Sequence, residues 1–316
     1  MMDEYQRKID YLRISVTDRC NLRCLYCMPE EGVPLVSHDE ILRYDEILHL
    51  IRIFASMGIQ KIKLTGGEPL VRRQLAELVR ESKKIPGICQ VTLTTNGVLL
   101  GEQMQELADA GIDGINLSLD TLDEDEYQKI TRRRELPRVW ESFQEALKYP
   151  RVTLKINCVP LHQSKESLIQ IAGLSKEYPV HVRFIEMMPI GLGADCQGYR
   201  EEEIYGFLRE AFGEGQPVKE ILGNGPAHYI QFKGFHGKIG FISAVSHKFC
   251  DQCNRIRLTA QGYLKTCLQY DRGADLRESL RRGATDQELA ELIRQALLEK
   301  PKSHAFYETK ENDEDT

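Results

Sequence analysis

The stretch Cys20-Asn21-Leu22-Arg23-Cys24-Leu25-Tyr26-Cys27 sets three thiols within eight residues, spaced C-x3-C-x2-C. Just before it, Leu12–Val16 is a short run with β-branched residues and reads as a strand. The triplet therefore sits in the loop at that strand's carboxyl end, the face on which parallel α/β enzymes gather their chemistry.

Working outward, the same rhythm recurs. Candidate strands are Lys61–Leu64, Val91–Thr94, Gly114–Leu119, Thr153–Asn157 and His181–Ile185. Between them lie amphipathic stretches such as Asp45–Met57, stopped by Gly58, and Glu102–Ala110, stopped by Gly111. A glycine after the last periodic residue is the expected C-cap, because it enters the left-handed region without a steric penalty. Six strands alternating with helices imply right-handed βα units around a parallel sheet. Such units suit a partial barrel or a wide open sheet. The expectation here is a partial (βα)6 TIM-type barrel over residues 1–195.

From about residue 195 the pattern changes. A helical Glu201–Phe212 leads to two strand-like runs, Tyr229–Phe232 and Lys238–Ser243, with Gly234 and Gly237 between them. A second cysteine loop, a hairpin through Arg255–Cys267 and a final helix at Gln287–Leu298 complete the sequence up to a polar tail. Residues 196–305 thus read as a C-terminal extension closing one end of the first unit. Residues 306–316 read as a frayed tail, being nearly all polar or charged.

Three thiolates can wrap one face of a cubane iron–sulfur cluster and leave one iron without a protein ligand, open to a small molecule. A structural zinc site with a distant fourth ligand is the alternative, but zinc sites commonly pair cysteines as C-x2-C, and the x3 spacing is not typical of them. Cys20-x3-Cys24-x-Tyr26-Cys27 resembles the defining motif of the radical S-adenosylmethionine (SAM) superfamily. The resemblance implies a [4Fe-4S] cluster on Cys20, Cys24 and Cys27, with SAM on the open iron and Tyr26 near the adenine.

Thr65-Gly66-Gly67-Glu68-Pro69 follows the second strand and resembles that family's glycine-rich loop. Paired glycines let backbone approach a small polar ligand closely. By the same resemblance Gly67, Ser118 (in Asn116-Leu117-Ser118-Leu119-Asp120) and Met188 are expected to touch SAM.

Cys250-x2-Cys253 and Cys267 form a second triplet. With His247 or His236 it could make a Cys3His zinc site. The run Cys250-Asp-Gln-Cys253-Asn-Arg255-Ile-Arg257-Leu-Thr, continuing to Leu264-Lys-Thr-Cys267-Leu, closely resembles the C-terminal motif of the GTP 3′,8-cyclases. These enzymes act at the first step of molybdenum cofactor biosynthesis. The resemblance spans Arg13 to about Arg282 and implies a C-terminal iron–sulfur extension with a second [4Fe-4S] cluster on Cys250, Cys253 and Cys267. It also implies conversion of GTP to (8S)-3′,8-cyclo-7,8-dihydroguanosine 5′-triphosphate.

Arg255 and Arg257 alternate on a strand and so share a face. Guanidinium groups hold anionic oxygens in bidentate fashion and suit a triphosphate. Arg13, Lys63, Thr94 and Lys155 lie on candidate strands and match the family's substrate-contact positions. Inward basic residues are costly in a core unless they meet anions, which points to a phosphate-bearing ligand in the barrel mouth.

With 41% hydrophobic and 28% charged residues the chain is globular, and its net charge of −6 argues against a nucleic-acid partner. No run approaches the roughly 18 apolar residues of a membrane span, and the N-terminus lacks the order of a secretory signal. The expected setting is cytoplasmic, where disulfides are rare. There nine cysteines call for metal or redox chemistry. Cys89, Cys158 and Cys196 are scattered and read as packing residues.

The expected partners are GTP and an external electron donor, and the resemblance implies a homodimer. The family typically ends in a Gly-Gly pair, whereas this sequence ends Lys310-Glu-Asn-Asp-Glu-Asp-Thr316. Two rival functions are therefore carried forward: a radical SAM enzyme acting on another substrate such as a peptide, and a non-catalytic nucleotide-binding relative.

Overall fold

The computed structural model describes residues 1–306 apart from 35, 162 and 221. The polar tail expected at 306–316 falls outside the described residues from 307 onward. Six parallel strands run through the first part: β1 (Tyr11–Ser15), β2 (Lys61–Thr65), β3 (Gln90–Thr95), β4 (Gly114–Ser118), β5 (Thr153–Cys158) and β6 (His181–Ile185). Each lies within a residue of its expected bounds. The intervening helices are α1 (Tyr44–Ser56), α2 (Leu75–Lys83), α3 (Leu100–Asp109), α4 (Glu124–Thr131), α5 (Leu136–Ala146) and α6 (Lys165–Glu177).

Helix α1 shows why these segments fold as they do. Ile47, Leu50, Ile51 and Phe54 repeat at helical spacing, are fully buried, and form one face. The Glu46 carboxylate accepts from the Arg43 backbone N–H (2.7 Å), satisfying an orphan donor at the start. Gly58, at φ +102°, ends the helix. Its face packs on strand residues such as Ile62 and Leu64, which are fully buried in the same apolar cluster. Replacing Phe54 by alanine would cost about 3–5 kcal/mol.

The alternating residues of β2, Lys61, Lys63 and Thr65, turn the other way. The apolar core therefore lies between sheet and helices, and the inner face of the sheet is polar.

The C-terminal residues extend this same sheet rather than forming a separate layer. After α7 (Glu201–Phe212) come β7 (Gln216–Val218), β8 (His228–Gln231), β9 (Ile239–Ile242), β10 (Arg255–Leu258), β11 (Tyr263–Lys265) and β12 (Gly273–Asp275). The described residues form a twelve-stranded sheet in the order β12-β11-β10-β1-β2-β3-β4-β5-β6-β9-β8-β7. Strand β10 pairs in parallel with β1, and β9 with β6, so both edges of the six-stranded unit are covered. Helices α8 (Leu276–Arg281) and α9 (Asp286–Leu298) follow, and residues 299–306 return to the second cysteine loop.

Candidate active site

Loops at the carboxyl ends of β1 and β2 build the first cysteine site. Leu25 N–H donates to Ile130 O (2.9 Å) and Arg23 N–H to Thr131 O (3.0 Å), which ties the cysteine loop to the end of α4. Gly67 N–H donates to Thr17 O (2.8 Å) and Glu68 N–H to Arg19 O (2.7 Å). A Cβ at Gly67 would collide with the Arg19 carbonyl, and one at Gly66 would come within 2.6 Å of Thr17 O. The glycines are thus required by close packing of the two loops themselves, a demand the sequence alone did not separate from ligand contact.

Buried Glu68 accepts from Thr95 Oγ1 (2.7 Å), Asn96 N (2.7 Å) and Leu70 N (3.0 Å), and burial pushes its carboxyl up to about 6. Asn96 in turn donates to Asn21 Oδ1 (2.7 Å) beside Cys20. Tyr26 donates to Asp120 Oδ2 (2.9 Å), whose carboxyl burial likewise raises to about 6. Ser118 closes β4 two residues before this contact. Met188 lies near the Tyr26 backbone through Gly193, whose position for a Cβ is 2.8 Å from Met188 O and 3.6 Å from Tyr26 O.

Cys20, Cys24 and Cys27 are free thiols, as are Cys250, Cys253 and Cys267. Burial raises the first three, and Cys20 and Cys27 further disfavour charge on Cys24. Thiols whose charged form is disfavoured in this way fit a positively charged iron centre. Among the described residues no three His, Cys, Asp or Glu side chains converge as the ligands of a single metal ion would. In a cluster each thiolate meets its own iron, so its ligands stand further apart than those of one tetrahedral zinc. Of the histidines considered for zinc, His236 is exposed and His247 faces Glu201 (4.0 Å).

Beneath the first site a cavity of about 420 Å³ runs down the barrel axis. Arg13, Lys63, Lys155 and Arg183 each occupy the third position of their strands and point into it, joined by Arg255 from β10. Among the described residues its lining contains no carboxylate. Thr94 lines it too, receiving a long hydrogen bond from Asn116 Nδ2 (3.4 Å).

Burial holds Lys63 well below the usual lysine range, and Arg183, Arg13, Lys155 and Arg255 add to the effect. Burial and Arg183 lower Lys155 to about 8. Its ammonium donates to Leu222 O (3.0 Å) in the Leu222–Pro226 loop, which closes the cavity near the first residues of β3–β6. The basic groups are therefore deep in the barrel, not only at its mouth.

Arg257 does not line this cavity, although it shares a strand face with Arg255. It pairs in register with Arg13, and burial with the charges of Arg13 and Arg255 lowers it to about 9. Its buried Nε has no hydrogen-bond partner among the described residues. Arg255 stacks over the ring of Phe249 (4.9 Å), beside Cys250, and so links the cavity to the second triplet. Burial opposes charge on Cys253, but Lys300 and Arg255 outweigh it and hold the thiol at about 7.

Sequence reasoning missed Arg183, which donates to Asn116 Oδ1 (2.5 Å) and Asn157 Oδ1 (2.6 Å). The signal was available: a charge at the third place of a short strand whose second and fourth residues are apolar, as with Lys63.

Comparison with known proteins accords with this geometry. The sequence model of the Radical SAM superfamily matches residues 14–174, and that of Molybdenum Cofactor Synthesis C matches 180–306. A protein of Clostridium perfringens (strain 13 / Type A) named GTP 3′,8-cyclase is 45% identical over 316 residues, covering 100% of this chain and 97% of its own. One of the same name from Pelotomaculum thermopropionicum is 46% identical over 312 residues, 98% of this chain and 96% of the relative. Among solved structures, Streptococcus suis SuiB bound to S-adenosylmethionine aligns with a TM-score of 0.66 at 13% identity, over 96% of this chain and 73% of that one. AnSMEcpe with bound AdoMet aligns at 0.58 and 15% identity, over 94% and 82%. These likenesses establish the partial barrel over the open sheet. Family models that together span both cysteine loops, with relatives similar along the whole chain, place the chain in the GTP 3′,8-cyclase family of the radical SAM superfamily.

Proposed function

We propose that this protein is a GTP 3′,8-cyclase, a lyase converting GTP to (8S)-3′,8-cyclo-7,8-dihydroguanosine 5′-triphosphate at the first step of molybdenum cofactor biosynthesis. The observation that carries this reading is a cavity lined by Arg13, Lys63, Lys155, Arg183 and Arg255, with no carboxylate from the described residues, inside a barrel whose carboxyl end carries a loop of three cysteines. Five cations to which the described residues offer no carboxylate in the cavity favour a polyanionic ligand, and a nucleoside triphosphate supplies that charge.

Cys20, Cys24 and Cys27 would hold a [4Fe-4S] cluster which, with SAM bound, would supply the radical chemistry that abstracts hydrogen from the substrate. Tyr26, fixed by Asp120, packs beside the adenine. Gly67, Ser118 and Met188 border the remainder of SAM. Arg13, Lys63, Lys155 and Arg183 hold the triphosphate, with Thr94 among the polar contacts. Arg255 reaches from the cavity, and Arg257 from beside it, toward Cys250, Cys253 and Cys267, which would hold a second [4Fe-4S] cluster where the guanine base would be received. Anchoring both ends of one nucleotide keeps the C3′ and C8 carbons in attack geometry, and the barrel walls exclude water from the radical.

Residues 1–195 then carry the radical chemistry and 196–305 the second cluster. An external electron donor, a homodimer and a cytoplasmic setting complete the reading. No helix among the described residues is long and apolar enough to cross a membrane.

The test is anaerobic reconstitution with iron and sulfide, then incubation with reductant, SAM and GTP. About eight irons per chain are expected, as two four-iron clusters, with 5′-deoxyadenosine formed only when GTP is present. About four irons with zinc in the second site would undo the second cluster. SAM cleavage without a GTP product would favour a different substrate, and intact clusters without cleavage a non-catalytic relative.

A further inference from the structure

Two cations from opposite ends of the described chain grip the second cysteine triplet. Arg7 Nη1 donates to Cys250 O (2.9 Å) and Lys302 O (2.8 Å), Nη2 donates to Pro301 O (2.8 Å), and Nε donates to Asp3 (2.5 Å). Lys300 is only 3% exposed. Its ammonium donates to Thr266 O (2.5 Å), Arg255 O (3.0 Å) and Cys253 Sγ (3.7 Å). Every cysteine-bearing segment is therefore held: Cys250 through its carbonyl, Cys253 through its sulfur, and Cys267 through the carbonyl of the residue before it.

The two cations differ in one respect. Asp3 neutralises Arg7 within a buried ion pair. Lys300 has no carboxylate within ion-pair distance among the described residues. Taking an ammonium out of water costs several kcal/mol unless negative charge meets it. Two carbonyls satisfy its N–H groups but carry no net charge. Sulfur is the one partner that can, and Cys267 brings a second thiol close by on the other side of Thr266.

We propose that Lys300 is a positioning residue of the second cysteine site, where its fixed positive charge compensates the bound thiolates and makes the cluster there easier to reduce. This rests on the reading that Cys250, Cys253 and Cys267 hold an iron–sulfur cluster. Hydrogen bonds and charge at the ligating sulfurs are among the factors that set such potentials. Arg7 supplies the complementary part, shaping the loop while adding no net charge.

The test uses the full chain with Cys20, Cys24 and Cys27 all replaced by alanine, so that a cluster forms only at the second site. Lys300→Met and Lys300→Gln are introduced into this background. After anaerobic reconstitution, iron is counted and the cluster is titrated with an added one-electron reductant, followed by electron paramagnetic resonance. Both variants are expected to keep measurable cluster that is about tenfold harder to reduce, a shift of about 59 mV to lower potential for one electron.

A merely structural lysine would lower the iron content and leave the potential of the retained cluster unchanged. That result, in either variant, overturns the proposal. Should Lys300→Met lose its cooperative thermal transition, Lys300→Gln, which keeps a polar tip without charge, carries the measurement. If the parent with Lys300 intact takes up zinc or no cluster, the reading of the second site fails instead, and the two failures are told apart.

Discussion

Arg13 and Lys63 are direct register partners across the parallel β1–β2 pair, and both point into a cavity to which the described residues contribute no carboxylate. On the other side Arg13 pairs with Arg257. Three cations thus stand in one row across adjacent strands, an arrangement costly to the unliganded fold and favourable once a polyanion enters.

Lys63→Met should therefore stabilise the free protein while weakening substrate binding. Removing one partly buried charge from a like-charged row is expected to add about 1–2 kcal/mol and to raise the melting temperature. GTP affinity is expected to fall at least about tenfold, one charge-assisted contact being worth about 1.5 kcal/mol or more. Thermal melts with and without GTP read both effects. A lower melting temperature with unchanged affinity would show that the row is not strained.

The lysine at 155 gives the binding a pH dependence. In the free protein its group titrates at about 8, because burial and Arg183 disfavour its charge. A bound triphosphate favours the charged form, so binding takes up a proton once the free group has lost its own. Affinity should be flat below about pH 8 and fall by up to about tenfold per unit above it. Because the unfolded state binds more protons between about 8 and the usual lysine value, the free fold gains stability over that range. Calorimetry in buffers of different ionisation enthalpy measures the uptake, and Lys155→Met should abolish this component.

Gly67→Ala probes the loop that supports the first triplet. An added Cβ overlaps the Arg19 carbonyl, so the segment leading into Cys20 must shift. A cost of about 1–3 kcal/mol is expected, with iron lost from the first site before the second. Equal loss from both sites would point to a global effect instead.

A peripheral ion pair offers an independent check on the electrostatics. Glu201 accepts from His228 Nε2 (2.6 Å) and from the Ser243 hydroxyl. The contact with Glu201 raises His228. The Glu201 carboxyl lies below its usual value, hydrogen bonds from His228 and Ser243 outweighing its burial. The pair's stabilisation is fully present between the two unperturbed values, and is lost as pH falls through the lowered value of Glu201 or rises through the raised value of His228. Proton NMR of His228 should show its titration moving down in Glu201→Gln.

The sequence by itself determined the six βα units, because strand alternation and glycine stops are local signals. It also identified both cysteine triplets, since ligand spacing is written in the chain. Lys63 and Lys155 were legible too: a charge on an apolar strand stands out. What only the tertiary structure decided depends on pairing between distant segments. That β10 joins β1 and β9 joins β6, carrying Arg255 into the first unit's cavity, cannot be seen in either segment alone. Nor can the role of Gly67, whose neighbour is the Arg19 backbone. The grip of Lys300 on Cys253 and Thr266 is of the same kind, because a lysine just past the end of an amphipathic helix carries no local sign that folding will bury it. Local periodicity fixes the elements, and burial of charge, which decides the chemistry, is set only when those elements meet.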